Sequence, residues 1–156
     1  MFEKIKDWLN AQSITFREVH HGPVETSEAA AEARGEDLSI GGKALVLKID
    51  DSFKLCVLSA SRKLDSGALK KHFGAKKLRF ADRDELKELT GLVPGSVPPF
   101  GKPLLDLELL LDQSILQNQK IAFNAGSLND SIIMSVEDYL SVASPTILSF
   151  SKSGKS

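Results

Sequence analysis

Short apolar runs alternate with polar segments along the chain, and their spacing predicts both strands and helices. Runs rich in Val, Leu, Ile and Phe predict strands at 13–21, 43–50, 53–60, 77–81, within 104–112, in both arms of 120–135 and at 146–150. Helical spacing predicts an N-terminal helix, where Phe2, Ile5 and Leu9 share one face. Further helices are expected at 26–35, 65–73, 82–90 and 137–143.

Residues typical of helix ends support three of these helices. The predicted N-terminal caps are Thr26 or Ser27, Asp65, and Asp82 in a capping box with Glu85, and the predicted terminating glycines are Gly35, Gly74 and Gly91. The short polar link at 51–52 predicts an antiparallel hairpin between the strands at 43–50 and 53–60.

The irregular order of strands and helices predicts an α+β fold with a mixed, curled sheet, and not a regular doubly wound fold. A length of 156 residues without a linker or repeat indicates one domain. We expect this domain to span residues 1–152, followed by a flexible tail at 153–156.

The composition indicates the class of protein but not its activity. Hydrophobic residues make up 42% of the chain and charged residues 26%, which is typical of a globular domain. Cys56 is the single cysteine, so no intramolecular disulfide forms. No apolar run approaches the roughly 20 residues that span a membrane, and no signal peptide is evident. These features predict a cytoplasmic protein.

Basic residues concentrate in one segment although the net charge is only −1. The basic band is defined here as the seven Lys and Arg residues from Arg62 to Arg79. Asp65 is the single acidic residue in the same segment. Such a band is either a phosphate-binding face or an ordinary solvated helix surface.

Standard catalytic and metal-binding motifs are absent from the sequence. His20 and His21 are adjacent, so a strand would point them to opposite faces, and no metal or cofactor is expected. Cys56 lies inside a predicted strand and is expected to be a buried, inert thiol. Ser127 follows Gly126 but lacks the flanking pattern of a nucleophile elbow.

Two other features suggest a ligand site. Lys43 follows Gly41–Gly42 and begins an apolar strand, so its ammonium group either reaches a ligand anion or lies in solvent. The Pro-rich loop, 94-PGSVPPFG-101, cannot be helix or central strand. It is either a stiff pocket wall with accessible backbone N–H groups or a rigid structural turn.

The order of several motifs resembles the YbaK/ProX family, relatives of the editing domain inserted in bacterial prolyl-tRNA synthetases. The resemblance begins at HHGPVETSEAAAEARG and continues through GGKALVLK, in which Lys43 matches the characteristic lysine of the family. It includes TGLVPGSVPPFG, where Gly95 to Pro99 fits the Gly-x-x-x-Pro loop, and ends with LLLDQSI, FNAGS and the EDYL helix.

This resemblance implies a partly barrel-like sheet surrounded by helices and an activity, the hydrolysis in trans of the ester joining a wrong amino acid to tRNA. The expected amino acids are of the Ala, Ser, Thr or Cys class. The resemblance implies catalytic roles for Lys43 and Gly126, with the substrate bound by Gly95, Ser96, Val97, Pro98, Pro99, Asn124 and Ser127. The expected partners are the acceptor end of mischarged tRNA and an aminoacyl-tRNA synthetase.

Two alternatives remain at the level of the sequence. A non-catalytic module of the same fold would bind tRNA or a synthetase without turnover, and Asn124 stands where some relatives carry serine. A thiol or serine hydrolase would use Cys56 or Ser127 as its nucleophile and would act on a small ester.

Overall fold

The computed structural model describes residues 1–24 and 26–154, which form five α-helices and ten short β-strands. The helices are α1 (Phe2–Ala11), α2 (Ser27–Arg34), α3 (Ser66–Phe73), α4 (Arg83–Thr90) and α5 (Val136–Ala143). The strands are β1 (Arg17–His20), β2 (Gly42–Ile49), β3 (Ser52–Ser59), β4 (Arg62–Leu64), β5 (Leu78–Phe80), β6 (Glu108–Asp112), β7 (Lys120–Asn124), β8 (Asp130–Ser135), β9 (Thr146–Leu148) and β10 (Ser151–Ser153).

The strands form one mixed sheet and two smaller antiparallel sheets. The five-stranded sheet has the order β5-β2-β3-β6-β9; β5, β2 and β3 are antiparallel neighbours, whereas β6 runs parallel to β3 and to β9. The second sheet has the order β1-β8-β7, and β10 pairs with β4. The predicted α+β class with a mixed sheet is therefore confirmed.

The predicted helix caps form as the sequence indicates. The Thr26 side chain accepts a hydrogen bond from the Ala29 N–H at 3.1 Å, and Gly35 ends α2 with φ 68°. Asp65 caps α3, and Asp82 with Glu85 forms the complete capping box of α4. These local contacts need no tertiary partner, which is why the sequence predicts them well.

Several predicted strand boundaries are wrong. The strand expected at 13–21 begins only at Arg17, since Ser13 adopts a left-handed conformation with φ 59°. The strand expected within 104–112 is confirmed, and it occupies Glu108–Asp112. Strands β4 and β10 carry no apolar pattern that would predict them. Ser153 lies in β10, while Lys155 and Ser156 of the predicted tail 153–156 lie outside the described residues.

The larger hydrophobic core lies between the five-stranded and three-stranded sheets and is closed by α1 and α5. Phe100, from the Pro-rich loop, is fully buried at its centre. Its ring centroid lies 5.3 Å from those of Trp8 and Phe123 and 5.4 Å from that of Tyr139. The Pro-rich loop is thus anchored in the core by its own aromatic residue.

A second core packs on the opposite face of the five-stranded sheet. Cys56 lies in it beside Leu58, Leu69 and Phe150, whereas its neighbours on β3 face the larger core. The predicted burial of the thiol is confirmed.

Candidate functional site

A cavity of about 170 Å³ opens where α2, the start of β2, the Pro-rich loop and the end of β7 meet. Its wall includes Thr26, Arg34, Lys43, Gly95, Val97 and Asn124. Segments far apart in the sequence therefore line one concave cavity.

Lys43 is the second residue of β2 and lines the cavity at the strand mouth. Among residues 1–24 and 26–154, no carboxylate lies within ion-pair distance of its ammonium group. The preceding Gly42 packs closely against β7, because a Cβ there would lie 2.7 Å from Cδ1 of Ile121, and a side chain at this position would require Ile121 to shift.

The Pro-rich loop divides into a cavity wall and a buried support. Gly95 and Val97 line the cavity, and Gly95 has φ 86°. Ser96 is buried, and its hydroxyl donates to the Val93 carbonyl oxygen at 2.8 Å. The buried hydroxyl of Tyr139 donates to the Pro99 carbonyl oxygen at 2.6 Å. Thus Ser96, Pro98 and Pro99 do not line the cavity but hold the residues that do.

The turn after β7 faces the Pro-rich loop, but only Asn124 reaches the cavity. Its Nδ2 donates to the Gly95 carbonyl oxygen at 2.7 Å. The Gly126 N–H donates to the Ser96 carbonyl oxygen at 2.9 Å, and the Ser127 hydroxyl accepts from the Asn129 N–H at 3.0 Å. Gly126 therefore holds the Pro-rich loop and Ser127 holds its own turn, and neither residue lines the cavity.

Arg34 is a cavity residue that the sequence reasoning missed. It is the last residue of α2 and only 8% exposed, and burial lowers the pKa of its guanidinium to about 10. Its Nε donates to Ser131 Oγ at 2.9 Å and its Nη2 to Asn124 Oδ1 at 3.0 Å. A signal was present: Ser27, Ala30 and Arg34 are spaced by three and four residues and share one helix face.

Ser131 connects this arginine to a histidine. The Ser131 hydroxyl lies 2.9 Å from His21 Nε2, and Nδ1 of His21 lies 2.8 Å from the Gly22 carbonyl oxygen. Ser131 is fully buried, so it cannot meet a substrate. The serine–histidine contact is thus part of the hydrogen-bond network beneath the cavity.

The thiol of Cys56 is also unsuited to chemistry at the cavity. Cys56 is fully buried, and burial raises the pKa of its thiol to about 12. A thiol with that pKa carries almost no thiolate at neutral pH, and the thiolate is the nucleophile. Within residues 1–24 and 26–154 there is no group of three His, Cys, Asp or Glu side chains placed to hold a metal ion.

The basic band is spread over β4, α3, the link between α3 and β5, and β5, and it does not form a single helix face. Arg79 is engaged by Glu85 through two hydrogen bonds of 2.6 and 2.8 Å, and Arg62 bonds Ser151. The members that are exposed and make no ion pair within the described part of the chain are Lys63, Lys71, Lys76 and Lys77. Over the same residues, no helix has the length and apolar character needed to cross a membrane.

Comparison with known proteins identifies the family. The model of the aminoacyl-tRNA editing domain matches residues 21–142. A multifunctional Ser/Thr-tRNA deacylase, ProXp-y of Escherichia coli strain K12, is 37% identical over 148 residues, which cover 91% of this chain and 87% of that protein. A proline–tRNA ligase of Shouchella clausii is 35% identical over 101 residues, which cover 65% of this chain and 18% of the ligase.

Solved structures share the fold over nearly the whole chain. A hypothetical protein matches with a TM-score of 0.84 and 25% identity, covering 96% of this chain and 99% of that one. A candidate trans-editing enzyme for prolyl tRNA synthetase matches with a TM-score of 0.82 and 23% identity, covering 97% and 96%. The resemblance seen in the sequence motifs is confirmed.

Proposed function

Because the chain belongs to the aminoacyl-tRNA editing domain family, we propose that it hydrolyses, in trans, the ester bond of tRNA mischarged with a small amino acid. The Escherichia coli relative, a multifunctional Ser/Thr-tRNA deacylase, aligns over 87% of its length and supports this assignment. Editing after charging is useful because a binding pocket rejects an amino acid that lacks one methylene by only about 1–3 kcal/mol.

One observation carries the proposal. Lys43, the pair Gly95 and Val97, and Asn124 come from three distant parts of the chain and line one cavity of about 170 Å³. A cavity of this size suits a small aminoacyl group and the end of a ribose. Its Pro-rich wall is held from behind by Tyr139 and Phe100, so it resists widening by a larger amino acid.

The site residues have distinct roles in the proposal. Lys43 binds the phosphate or ribose of the terminal adenosine with its ammonium group, which makes no ion pair within residues 1–24 and 26–154. Gly95, Val97 and Asn124 contact the aminoacyl group. Gly126 and Ser127 act by holding Ser96 and the turn in place, since the Gly126 N–H is already bonded to the Ser96 carbonyl oxygen.

The chemistry requires little from side chains because the substrate is an activated ester. Attack by a water molecule on the acyl carbon needs positioning and stabilisation of the developing oxyanion. The ribose hydroxyl next to the ester is available to orient that water.

The proposed partners are the acceptor end of a mischarged tRNA and an aminoacyl-tRNA synthetase. The exposed lysines of the basic band are suited to phosphate contacts, which would position the acceptor stem without reading its sequence. The match to part of a proline–tRNA ligase favours a synthetase of that class as the docking partner.

The decisive experiment incubates the protein with tRNAs charged with Ala, Ser, Thr or Cys and follows loss of the aminoacyl bond. We expect hydrolysis of at least one of them, and we expect Cys56→Ala to retain the activity. Binding of all four without turnover would instead identify a non-catalytic binding module. Loss of activity in Cys56→Ala without a loss of thermal stability would support the thiol hydrolase.

A further inference from the structure

The Arg34 guanidinium is a buried positive charge without a neutralising partner in the described part of the chain. No carboxylate among residues 1–24 and 26–154 forms an ion pair with it. Glu36, two residues further along, is engaged by Arg17 at 2.8 Å and by Lys120 at 3.1 Å. A buried charge is costly unless it is paired, so an unpaired one at a cavity wall indicates a ligand.

One nitrogen of Arg34 remains available at the cavity. Nε and Nη2 donate to Ser131 and Asn124, whereas Nη1 donates to no atom of the described residues. Within residues 1–24 and 26–154, no fully buried side-chain nitrogen or oxygen lacks a hydrogen-bond partner. Nη1 is therefore not sealed in the interior. It lies at the Gly41 edge of the cavity, 3.7 Å from where a Cβ on that glycine would stand.

The hydrogen bonds around Arg34 orient its guanidinium and determine which kind of ligand atom Nη1 can contact. Oδ1 of Asn124 accepts from both Arg34 Nη2 and the Ser131 hydroxyl, at 3.0 and 3.2 Å, and its Nδ2 is bonded to Gly95. The acceptor of this network is thus already used, and the cavity floor presents N–H donors. An oxygen acceptor fits such a floor, whereas the α-ammonium group of an amino acid does not.

We propose that Arg34 is a catalytic residue of the deacylation reaction, whose Nη1 donates to the acyl oxygen of the bound ester and stabilises the negative charge that develops there. This inference rests on the proposed function and adds a specific oxyanion donor to it. The Gly126 N–H is not free to act as such a donor, because it is bonded to the Ser96 carbonyl oxygen.

The step balances without any further reactant. A water oxygen forms a bond to the acyl carbon, and the π electron pair of the carbonyl moves onto the acyl oxygen beside Nη1. The oxyanion then collapses, the bond from the acyl carbon to the ribose oxygen breaks, and that ribose oxygen takes the proton lost by water. The products are the free amino acid and the ribose hydroxyl of the tRNA.

Because Nη1 of Arg34 lies beside the acyl oxygen in this proposal, its removal should lower the rate of the chemical step more than the affinity for the substrate. The carbonyl oxygen of the ester is neutral in the bound substrate and negative in the tetrahedral intermediate, so a guanidinium interacts more strongly with the latter. Removing one such donor typically lowers kcat by about 10²–10³-fold.

The test compares Arg34→Met with Arg17→Met under single-turnover conditions on a charged tRNA that the wild-type protein hydrolyses. Arg17 is the matched control, since its Nη2 donates to the Arg34 carbonyl oxygen from outside the cavity and its side chain is 53% exposed. We expect Arg34→Met to lower the maximal rate about 100-fold or more with a half-saturating concentration within about two-fold of wild type. Arg17→Met should change neither value by more than about two-fold.

Two further measurements separate chemistry from folding. Arg34→Lys keeps the buried charge, and thermal denaturation identifies any variant that does not fold. In Arg34→Ala, added guanidinium ion should restore the rate at least about ten-fold, while ammonium ion at the same ionic strength should not.

Each outcome decides the inference. A raised half-saturating concentration with an unchanged maximal rate would show that Arg34 binds a phosphate or another ground-state group, and full activity would show that it has no role. Either result overturns the inference and leaves the proposed function intact. If the wild-type protein hydrolyses none of the charged tRNAs, the proposed function and this inference both fail.

Discussion

The Nδ2 group of Asn124 donates a hydrogen bond to the carbonyl oxygen of Gly95 at 2.7 Å, and this bond joins the two facing walls of the cavity. The same side chain accepts from Arg34 through Oδ1. One amide therefore fixes the Pro-rich loop, the end of β7 and the end of α2 relative to each other.

Replacement of Asn124 by Ala should lower both activity and stability. Without the amide, the Gly95 carbonyl and the Arg34 guanidinium have no hydrogen-bond partner at this position, so we expect the free energy of unfolding to fall by about 1–3 kcal/mol. We also expect deacylation to fall at least ten-fold. Urea denaturation and the deacylation assay measure the two effects.

The control for that variant is Asn129→Ala, which removes an exposed amide in the same turn that donates to the His21 carbonyl oxygen at 3.3 Å. Similar decreases in both variants would show that the bond between Asn124 and Gly95 has no special importance for the site.

Replacement of Lys43 by Ala should remove most of the activity while leaving stability within about 0.5 kcal/mol of wild type, since its ammonium group makes no ion pair in the described residues. Deacylation kinetics and urea denaturation test this. The matched control is Lys48→Ala on the same strand, whose ammonium group lies 5.7 Å from the Phe53 ring. Full activity in the Lys43 variant would remove this lysine from the mechanism.

Replacement of Tyr139 by Phe should loosen the Pro-rich wall. The Pro99 carbonyl loses its 2.6 Å hydrogen bond, so we expect the free energy of unfolding to fall by about 1–3 kcal/mol. A less rigid wall should admit larger amino acids. We therefore expect the rate on a larger aminoacyl group, measured with Leu-charged tRNA, to rise relative to the rate on a small one.

Leu69→Val is the control for that change, because it destabilises the second core, on the opposite face of the five-stranded sheet, by about 1 kcal/mol without touching the Pro-rich loop. If both variants shift selectivity equally, the cause is general destabilisation and not the wall.

Replacement of Lys76 and Lys77 together by Ala should weaken tRNA binding and its dependence on salt. For each phosphate that is no longer neutralised, the slope of log affinity against log salt should become shallower by about 0.7–0.9. The measurement is tRNA binding across a series of NaCl concentrations. Lys102→Ala is the control, because its ammonium group pairs with Asp106 at 3.2 Å. An unchanged slope in the double variant would exclude this part of the basic band from the interface.

The features predictable from the sequence are those determined by local chemistry. The Thr26 cap, the Asp82–Glu85 capping box and the β2–β3 hairpin depend on neighbours within a few residues, so their patterns are recognisable without tertiary contacts. Lys43 and the Pro-rich loop are identifiable as site candidates because glycine and proline mark unusual backbone.

The remaining features depend on contacts between distant segments. Arg34 resembles an ordinary polar residue at a helix end, and only its packing against Ser131, 97 positions away, buries it. Gly126 and Ser127 belong to a recognisable motif, yet the sequence does not reveal that the Gly126 N–H is bonded to Ser96. Strands β4 and β10 exist through their mutual pairing, which no apolar pattern predicts.

The position of Phe100 links the selectivity of the site to the cooperativity of the whole molecule. Because this ring is packed among Trp8, Phe123 and Tyr139, we expect the loop that carries it to open only together with the core. On heating, discrimination between amino acids should therefore stay constant and then disappear at the melting transition itself. Discrimination between amino acids and the folded structure should therefore be lost at the same temperature.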